Sequence, residues 1–337
     1  KNINISERSF EKKDFSFPQG FYEISRSSKN GRIVNFVLFV FTFIFYLRKI
    51  SIENLNVIYA NGNKVAFWLL IKLYFTSFKG KFIWHFRDYP EKGIYYKVAN
   101  FIILKLRKRV KFLLVGNSCS VYEQLRKVFP SKVETNYIYN LVENYSPANS
   151  STNISTIGVV SMLAPWKGQH QVIMFANLYE KELMELGINK INIYGDNIYL
   201  TKGVHQSFKN QLLDLMQKFP SSLVRFCGVI KPDKIYGEVD LLIHCSIERE
   251  PFGRVITEAM KNKIPVLSTC LGGSMELIQH EFNGIKIYPY DFGGWYLSIK
   301  KISTNLNFRN SVVYNGVRSV EKIENEIPQK ARQILNG

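Results

Sequence analysis

Cysteines are few, acids are scarce in the first half, and no apolar run is long enough to cross a bilayer. The four cysteines (Cys119, Cys227, Cys245, Cys270) show no paired spacing and sit in or beside apolar runs. That argues against a disulfide frame or a zinc site and fits reduced, buried thiols of a cytosolic protein. The most apolar stretch, Ile33 to Leu47, ends after fifteen residues between Arg32 and Arg48. A spanning helix needs about 20, so a buried helix is expected there, with an interfacial helix as the alternative. The opening "KNINISERSFEKKDF" has no signal-peptide pattern and no initial Met, so an N-terminal piece is expected to be missing. There is no internal repeat and no low-complexity tract.

Acids are depleted unevenly. Residues 1–150 hold 24 Lys/Arg against 10 Asp/Glu, so +14 of the formal +18 belongs to that part. An excess confined to one half suggests an anionic partner: membrane lipid, nucleic acid or a phosphorylated acceptor. A basic but merely soluble lobe is the plainer alternative. No nucleic-acid reader motif is present.

What is abundant is apolar: 46% hydrophobic residues, with 14% aromatics, exclude general disorder. A chain of 337 residues exceeds one ordinary core, so two domains are expected. Short apolar runs alternate with helical patterns. Buried strands are predicted at 56–61, 81–86, 111–118 and 136–140, then at 156–163, 190–195, 222–228, 239–246, 264–269 and 284–289. Strands alternating with helices predict parallel sheets of βαβ units. The polar, Pro-containing "ENYSPANSSTN" (Glu143–Asn153) is the natural linker. The expected division is an N-terminal Rossmann-like domain over 1–148, a ligand-binding domain over 149–320 and a helical segment over 321–337. Ligands of such sheets bind at strand carboxyl ends, which places the site in the cleft between the domains.

Candidate site residues follow from those strand ends. After the strand at 156–163 comes "APWKGQ", putting Lys167 and Gly168 just before a helix, where backbone N–H groups and the dipole favour an anion. Taken alone, the Lys-Gly pair is very weak evidence, and an exposed turn lysine is the better explanation. After the strand at 239–246 comes "IEREPFGRVITEAM". Pro251 and Gly253 break the chain, and "RVITEAMKN" has helical composition. Glu250 then precedes the turn and Glu258 lies one turn into the helix, so they face one ligand from different elements. Carboxylates so placed accept hydrogen bonds from sugar or ribose hydroxyls; two solvated charges are the bland alternative. One strand later, Gly272-Gly273 again stands between strand and helix.

These residues resemble the donor-binding signature of glycosyltransferase family 4, the group 1 glycosyl transferases, retaining enzymes of the GT-B fold. The resemblance rests on "EREPFGRVITEAMKNKIPVLSTCLGGSMELIQHEFNG", with "APWKGQHQVI", "IYGDN", "VRFCG" and "VDLLIHCS" upstream in order. It covers about 156–290 strongly and 56–142 more weakly, through "IWHFRD", "VGNSCSVYEQL" and "YIYNLVEN". The resemblance implies two Rossmann-like α/β domains with parallel sheets facing across a cleft. It implies that Glu258 binds ribose hydroxyls and that Glu250 lies by the donor hexose. The Phe252 and Gly253 backbone would approach sugar and phosphate, and Lys167, beside Gly168, would neutralise the diphosphate. The loop at Gly228 and Val229 would hold the base, and His85 would reach the cleft from the acceptor side, a core role being equally open.

Two departures from the pattern stand out. Ser161-Met162 occupies the place of a usual Gly-Arg, leaving phosphate neutralisation to Lys167, Arg249 or Arg254. The first strand and Gly-rich loop of the N-terminal domain are not found before Ile33, so that domain is expected to be truncated. No Asp-x-Asp motif occurs, in keeping with a site without metal or other cofactor. The expected activity is retaining transfer of a hexose from a nucleotide-diphosphate sugar to a glycan or lipid-linked acceptor, in bacterial surface polysaccharide or lipopolysaccharide synthesis. The expected place is the cytoplasm, peripheral at the inner face of the plasma membrane, with no nucleic acid as partner. A nucleotide-sugar epimerase of the same fold and a non-catalytic membrane-associated protein are the alternatives.

Overall fold

The computed structural model describes residues 54–91, 93–143, 145, 153–196 and 204–336, together with Ile52; side chains of 204–207 are not described. The expected helix at Ile33–Leu47, the question of a missing first βαβ unit and most of the linker lie outside these residues.

Every strand predicted from the sequence has a counterpart, several of them shorter than the apolar run that announced them; the one predicted as buried at 136–140 runs instead over Glu134–Tyr137, at the sheet edge and with no buried residue. β1 (Val57–Asn61), β2 (Lys81–Phe86), β3 (Lys111–Gly116) and β4 (Glu134–Tyr137) form one parallel sheet in the order β1-β2-β3-β4. All six residues of β2 are buried, as a central strand covered on both faces requires. The crossover helices are α1 (Asn63–Tyr74), α2 (Ile94–Leu106) and α3 (Cys119–Val128). Ser118 starts α3 by accepting a hydrogen bond from the Val121 N–H at 3.0 Å.

The second sheet contains β5 (Thr156–Val160), β6 (Lys190–Tyr194), β7 (Val224–Gly228), β8 (Leu241–His244), β9 (Val266–Ser268) and β10 (Ile285–Lys286). All are parallel, in the order β10-β9-β8-β5-β6-β7. Between them run α4 (Gln169–Leu178), α5 (Glu180–Glu185), α6 (Val204–Lys218), α7 (Pro232–Glu238) and α8 (Arg254–Lys261). The segment "GQHQVIMFANLYEKELMEL" forms two helices, broken at Tyr179. The core of this half joins the sheet to α9 (Phe292–Thr304) through Ile157, Ile191, Ile243, Phe175, Trp295 and Ile299.

The last helix, α10 (Leu306–Asn336), carries the residues expected as a separate C-terminal segment but begins well before them. Beyond Pro328 it reaches the first sheet: Ile334 packs with Ile83, Leu113 and Val115, and Lys81 Nζ donates to the Ile334 carbonyl at 2.6 Å. Both sheets belong to one compact unit, residues 53–337. All four cysteines are free; Cys245 and Cys270 are buried, whereas Cys119 and Cys227 are only half-buried.

Candidate donor site

In the six-stranded sheet the strand order reverses between β5 and β8: the chain runs outward from β5 through β6 to β7, then returns on the other side. Loops leaving two such neighbours diverge and open a crevice at their carboxyl ends. The β5 loop ends in a short 3-10 turn, Pro165–Lys167; the β8 loop carries Glu250 ahead of α8. Gly168 lets the loops touch: its φ is +75°, and a Cβ there would stand 2.0 Å from the Cys245 carbonyl oxygen.

The contact brings Lys167 and Glu250 together. Lys167 Nζ donates to Glu250 Oε2 at 2.7 Å, with each side chain only 12% exposed. Ser246 Oγ donates to the same oxygen at 3.2 Å, and His244 Nε2 lies 3.6 Å away. Burial would raise the Glu250 carboxyl, but His244 and the Lys167 ammonium outweigh it and hold it down at about 2. Paired in this way, Glu250 is an anion at neutral pH. The cation expected for a diphosphate is, without ligand, neutralised by the carboxylate expected for the sugar.

Glu258 sits on α8, whose N-cap is Gly253. It is buried at 3% exposure, and Tyr236 OH donates to its Oε2 at 2.8 Å. Its Oε1 lies 3.0 Å from Arg254 Nε, yet receives no aligned hydrogen bond. Burial pushes this carboxyl up, against the lowering effects of Tyr236 and Arg254. A buried acceptor lacking an aligned donor is suited to a ligand hydroxyl. Tyr145 stacks on Tyr236 (centroids 5.6 Å apart) and walls this side. Arg254 itself is exposed at the first residue of α8, the position where a phosphate meets helix amides. The Phe252 side chain is buried against Tyr139 rather than offered to a ligand, so only its backbone is placed for a sugar or phosphate. Gly195 N–H donates to the Gly228 carbonyl at 2.7 Å, joining the ends of β6 and β7, with Val229 exposed beside it.

Several functional candidates went unrecognised in the sequence. The Gly272-Gly273 loop opens a short 3-10 turn, Gly273–Glu276, rather than an α-helix. Its backbone is not free: Gly273 N–H donates to the Glu250 carbonyl at 2.6 Å and reaches Tyr89 OH at 3.1 Å. Tyr89, from the loop after β2, donates to the Glu250 carbonyl at 3.1 Å and lies 2.9 Å from Ser120 Oγ. A Cβ at Gly272 would stand 2.4 Å from that hydroxyl, so glycine admits the tyrosine. The Arg249 guanidinium covers the Tyr89 ring at 4.3 Å and donates to Ser120 Oγ at 3.2 Å. Arg249 is thus committed to the first sheet's loops. Glu276 completes the junction by accepting from Cys119 N–H (2.9 Å), Ser120 N–H (2.6 Å) and Tyr139 OH (3.0 Å). It caps α3 from the opposite lobe, where the helix dipole favours an anion. The sequence signal was its place in "GGSMEL".

On the other wall, His85 is the penultimate residue of β2 and is buried at 3% exposure. Its Nδ1 meets Tyr59 OH, while Nε2 is buried without a partner. Burial and then Arg87 push its pKa down to about 3, so the ring is neutral. Arg87 is held by Asn61 Oδ1 (2.7 Å) and by Asn140. Asp88 stands between Arg87 and Tyr89. Its carboxyl is pushed up, chiefly by desolvation and then by the Glu250 charge, with Lys167 acting the other way.

A relative from Methanocaldococcus jannaschii, an uncharacterized glycosyltransferase, is 35% identical over 100 residues, which is 29% of this chain and 25% of that protein. The chain therefore matches only a quarter of that relative's length. Among solved structures, Anabaena HepE in complex with UDP and glucose superposes with TM-score 0.71 at 22% identity, covering 87% of this chain and 80% of that one. Sucrose-phosphate synthase from Thermosynechococcus elongatus gives 0.67 at 17% identity, covering 92% and 80%. A glycosyltransferase from Rickettsia africae gives 0.67 at 20%, covering 92% and 83%. These likenesses establish two parallel α/β lobes in the GT-B arrangement. The profile of the glycosyl transferases group 1 matches residues 142–318, more than half of the chain, including Lys167, Glu250 and Glu258. The chain belongs to the glycosyl transferases group 1 family.

Proposed function

We propose that the protein transfers a hexose-type sugar from a nucleotide-diphosphate sugar to a glycan or lipid-linked acceptor, with retention of configuration. The observation that carries this is Glu258, buried with one carboxylate oxygen lacking an aligned donor, one turn into a helix that begins beside the Lys167–Glu250 pair. Ribose hydroxyls would donate to Glu258. The diphosphate would take Lys167 from Glu250 and lie near Arg254 and the start of α8. Released from its lysine, Glu250 would accept from the sugar. Anabaena HepE is seen with UDP-glucose, which makes a UDP-hexose the first donor to try.

In the proposed step the bond from sugar C1 to the diphosphate oxygen breaks as the acceptor oxygen bonds C1 on the same face. The acceptor proton passes to the leaving phosphate oxygen. Glu250, held anionic and surrounded by donors, supplies positioning rather than a nucleophile. Lys167 and Arg254 supply the charge for the leaving group, so no metal is required. His85, neutral, and Asp88 would face the acceptor from the other wall. The basic first half would rest on anionic membrane at the cytoplasmic face, which suits a lipid-linked acceptor in surface polysaccharide assembly. No helix among the described residues is long and apolar enough to cross a membrane.

The test is a panel of UDP-, GDP- and ADP-sugars, assayed for transfer and hydrolysis with and without EDTA, with product anomers read by NMR. Interconversion of the donor sugar alone would replace this reading with an epimerase. Absence of any nucleotide-diphosphate binding in calorimetry would replace it with a non-catalytic role.

A further inference from the structure

The outer face of α2 is unlike the rest of the surface. Tyr96, Ala99, Ile102, Ile103 and Leu106 turn inward. On the opposite side Ile94 (77% exposed), Val98, Phe101 (54%) and Leu104 recur at helical spacing toward solvent. Exposed Glu91 precedes the helix, but the charges along it are positive: from Lys92 to Tyr122 the sequence holds seven Lys/Arg and no Asp or Glu. Lys97, Lys105, Arg107 and Lys108 are exposed, with Lys105 Nζ lying 5.8 Å from the Phe101 ring centre. α1 extends the patch. Phe67 on α1 stacks on Tyr95 of α2 at 4.1 Å, and Arg109 donates to the Leu73 carbonyl at 2.7 Å and to that of Thr76. These contacts pin the two helix ends together, so Tyr74 and Phe75, the latter 79% exposed, stand at the end that carries Leu104, Lys105 and Lys108.

We propose that this face of α1 and α2 docks the protein on an anionic lipid bilayer, the apolar stripe entering the interface and the lysines meeting headgroups. It deepens the membrane association proposed above and rests on it. A continuous apolar stripe is costly to leave in water. A protein partner would need matching acids beside an apolar groove, whereas an anionic leaflet offers both over any area. Amphipathic helices with a basic rim lie in membrane interfaces for this reason. This one acid-free stretch supplies +7, half of the +14 excess of residues 1–150.

The experiment is flotation of the full chain with vesicles of phosphatidylcholine alone or with 30 mol% phosphatidylglycerol (roughly physiological anionic content), at low and high salt. Wild type is expected to float with anionic vesicles only, and to release as salt rises. Phe101→Asp is expected to lower partitioning at least about 10-fold, since a ring that enters the interface becomes a carboxylate. Lys105→Glu with Lys108→Glu, at exposed positions that cannot disturb the core, is expected to lower it at least about 5-fold for each lysine. Leu297→Asp, an exposed apolar residue on α9, should leave flotation unchanged. Unchanged flotation of the α2 variants would overturn the proposal even if the protein still binds membranes elsewhere. So would equal binding to neutral vesicles. A changed oligomeric state or melting temperature in Phe101→Asp without loss of flotation would assign the face to a second copy or to another part of this chain. Donor hydrolysis measured on the same samples separates the two readings: loss of donor activity with intact flotation would sink the enzymatic reading and leave this one standing.

Discussion

Glu250→Gln tests whether the buried ion pair has the electrostatics that the site requires. The substitution keeps shape and removes charge. In the folded protein the carboxyl is lowered from 4.5 to about 2. At about 1.4 kcal/mol per tenfold change, that is about 3 kcal/mol of stability, with little discount for solvent because both side chains are only 12% exposed. A carboxylate with a depressed folded pKa stabilises fully above its unfolded value and loses that contribution as pH falls toward the folded one. The gap between wild type and Glu250→Gln should therefore be about 3 kcal/mol from pH 7 down to about 5. It should shrink below 4.5, and at pH 3 only about 1 kcal/mol should remain. Urea unfolding followed by tryptophan fluorescence at pH 7, 5, 4 and 3 measures it, with Trp84 and Trp295 fully buried as reporters. A gap that stays constant between pH 7 and pH 3 would refute the reasoning, as would no gap at neutral pH.

Glu258→Ala should weaken binding of a nucleotide-diphosphate sugar by about 10- to 100-fold in calorimetry, the value of hydrogen bonds to a charged acceptor; an unchanged Kd removes the ribose contact. Lys167→Ala should cut turnover about 10²-fold or more if the lysine stabilises leaving-group charge, and a near-normal kcat would shift that role to Arg254. Glu276→Ala removes three hydrogen bonds and the cap of α3, so the urea midpoint should fall by the equivalent of about 2–3 kcal/mol and donor KM should rise. Glu276→Gln, which can still accept from one amide, should recover part of both; a full-strength Glu276→Ala protein would mean the lobes are held otherwise.

Most strands were legible because they are short apolar runs bounded by turn residues, and parallel sheets bury both faces of a strand; β4, a polar edge strand, overlaps its predicted run only at 136–137. Their ends were less so: the run at 284–289 yields only Ile285–Lys286, since its remaining apolar residues, buried Ile287 and exposed Tyr288, belong to the loop that follows. The helix over Arg254–Lys261 and its glycine cap were readable from the Pro-Phe-Gly break and the composition that follows. The placement of Glu250 and Glu258 on separate elements followed directly. The partnership of Lys167 with Glu250 was not readable. Nothing in 83 residues of separation says that β5 and β8 are neighbours; strand order does.

The same distinction runs through the whole site. Local patterning in the chain sufficed for the α/β class, for the glycines that start loops and helices, and for the carboxylates that face a donor, because propensity and burial act over a few residues. Which charge meets which was settled by the packing of distant elements. Tyr89 and Ser120 meet Arg249, Gly273 and the Glu250 backbone, and Glu276 caps a helix of the other lobe. So too was the buried oxygen of Glu258 without an aligned donor. Hydrogen bonds and ion pairs need atoms within about 3 Å, and only the folding of two sheets onto one junction brings residues so far apart in the chain to that distance.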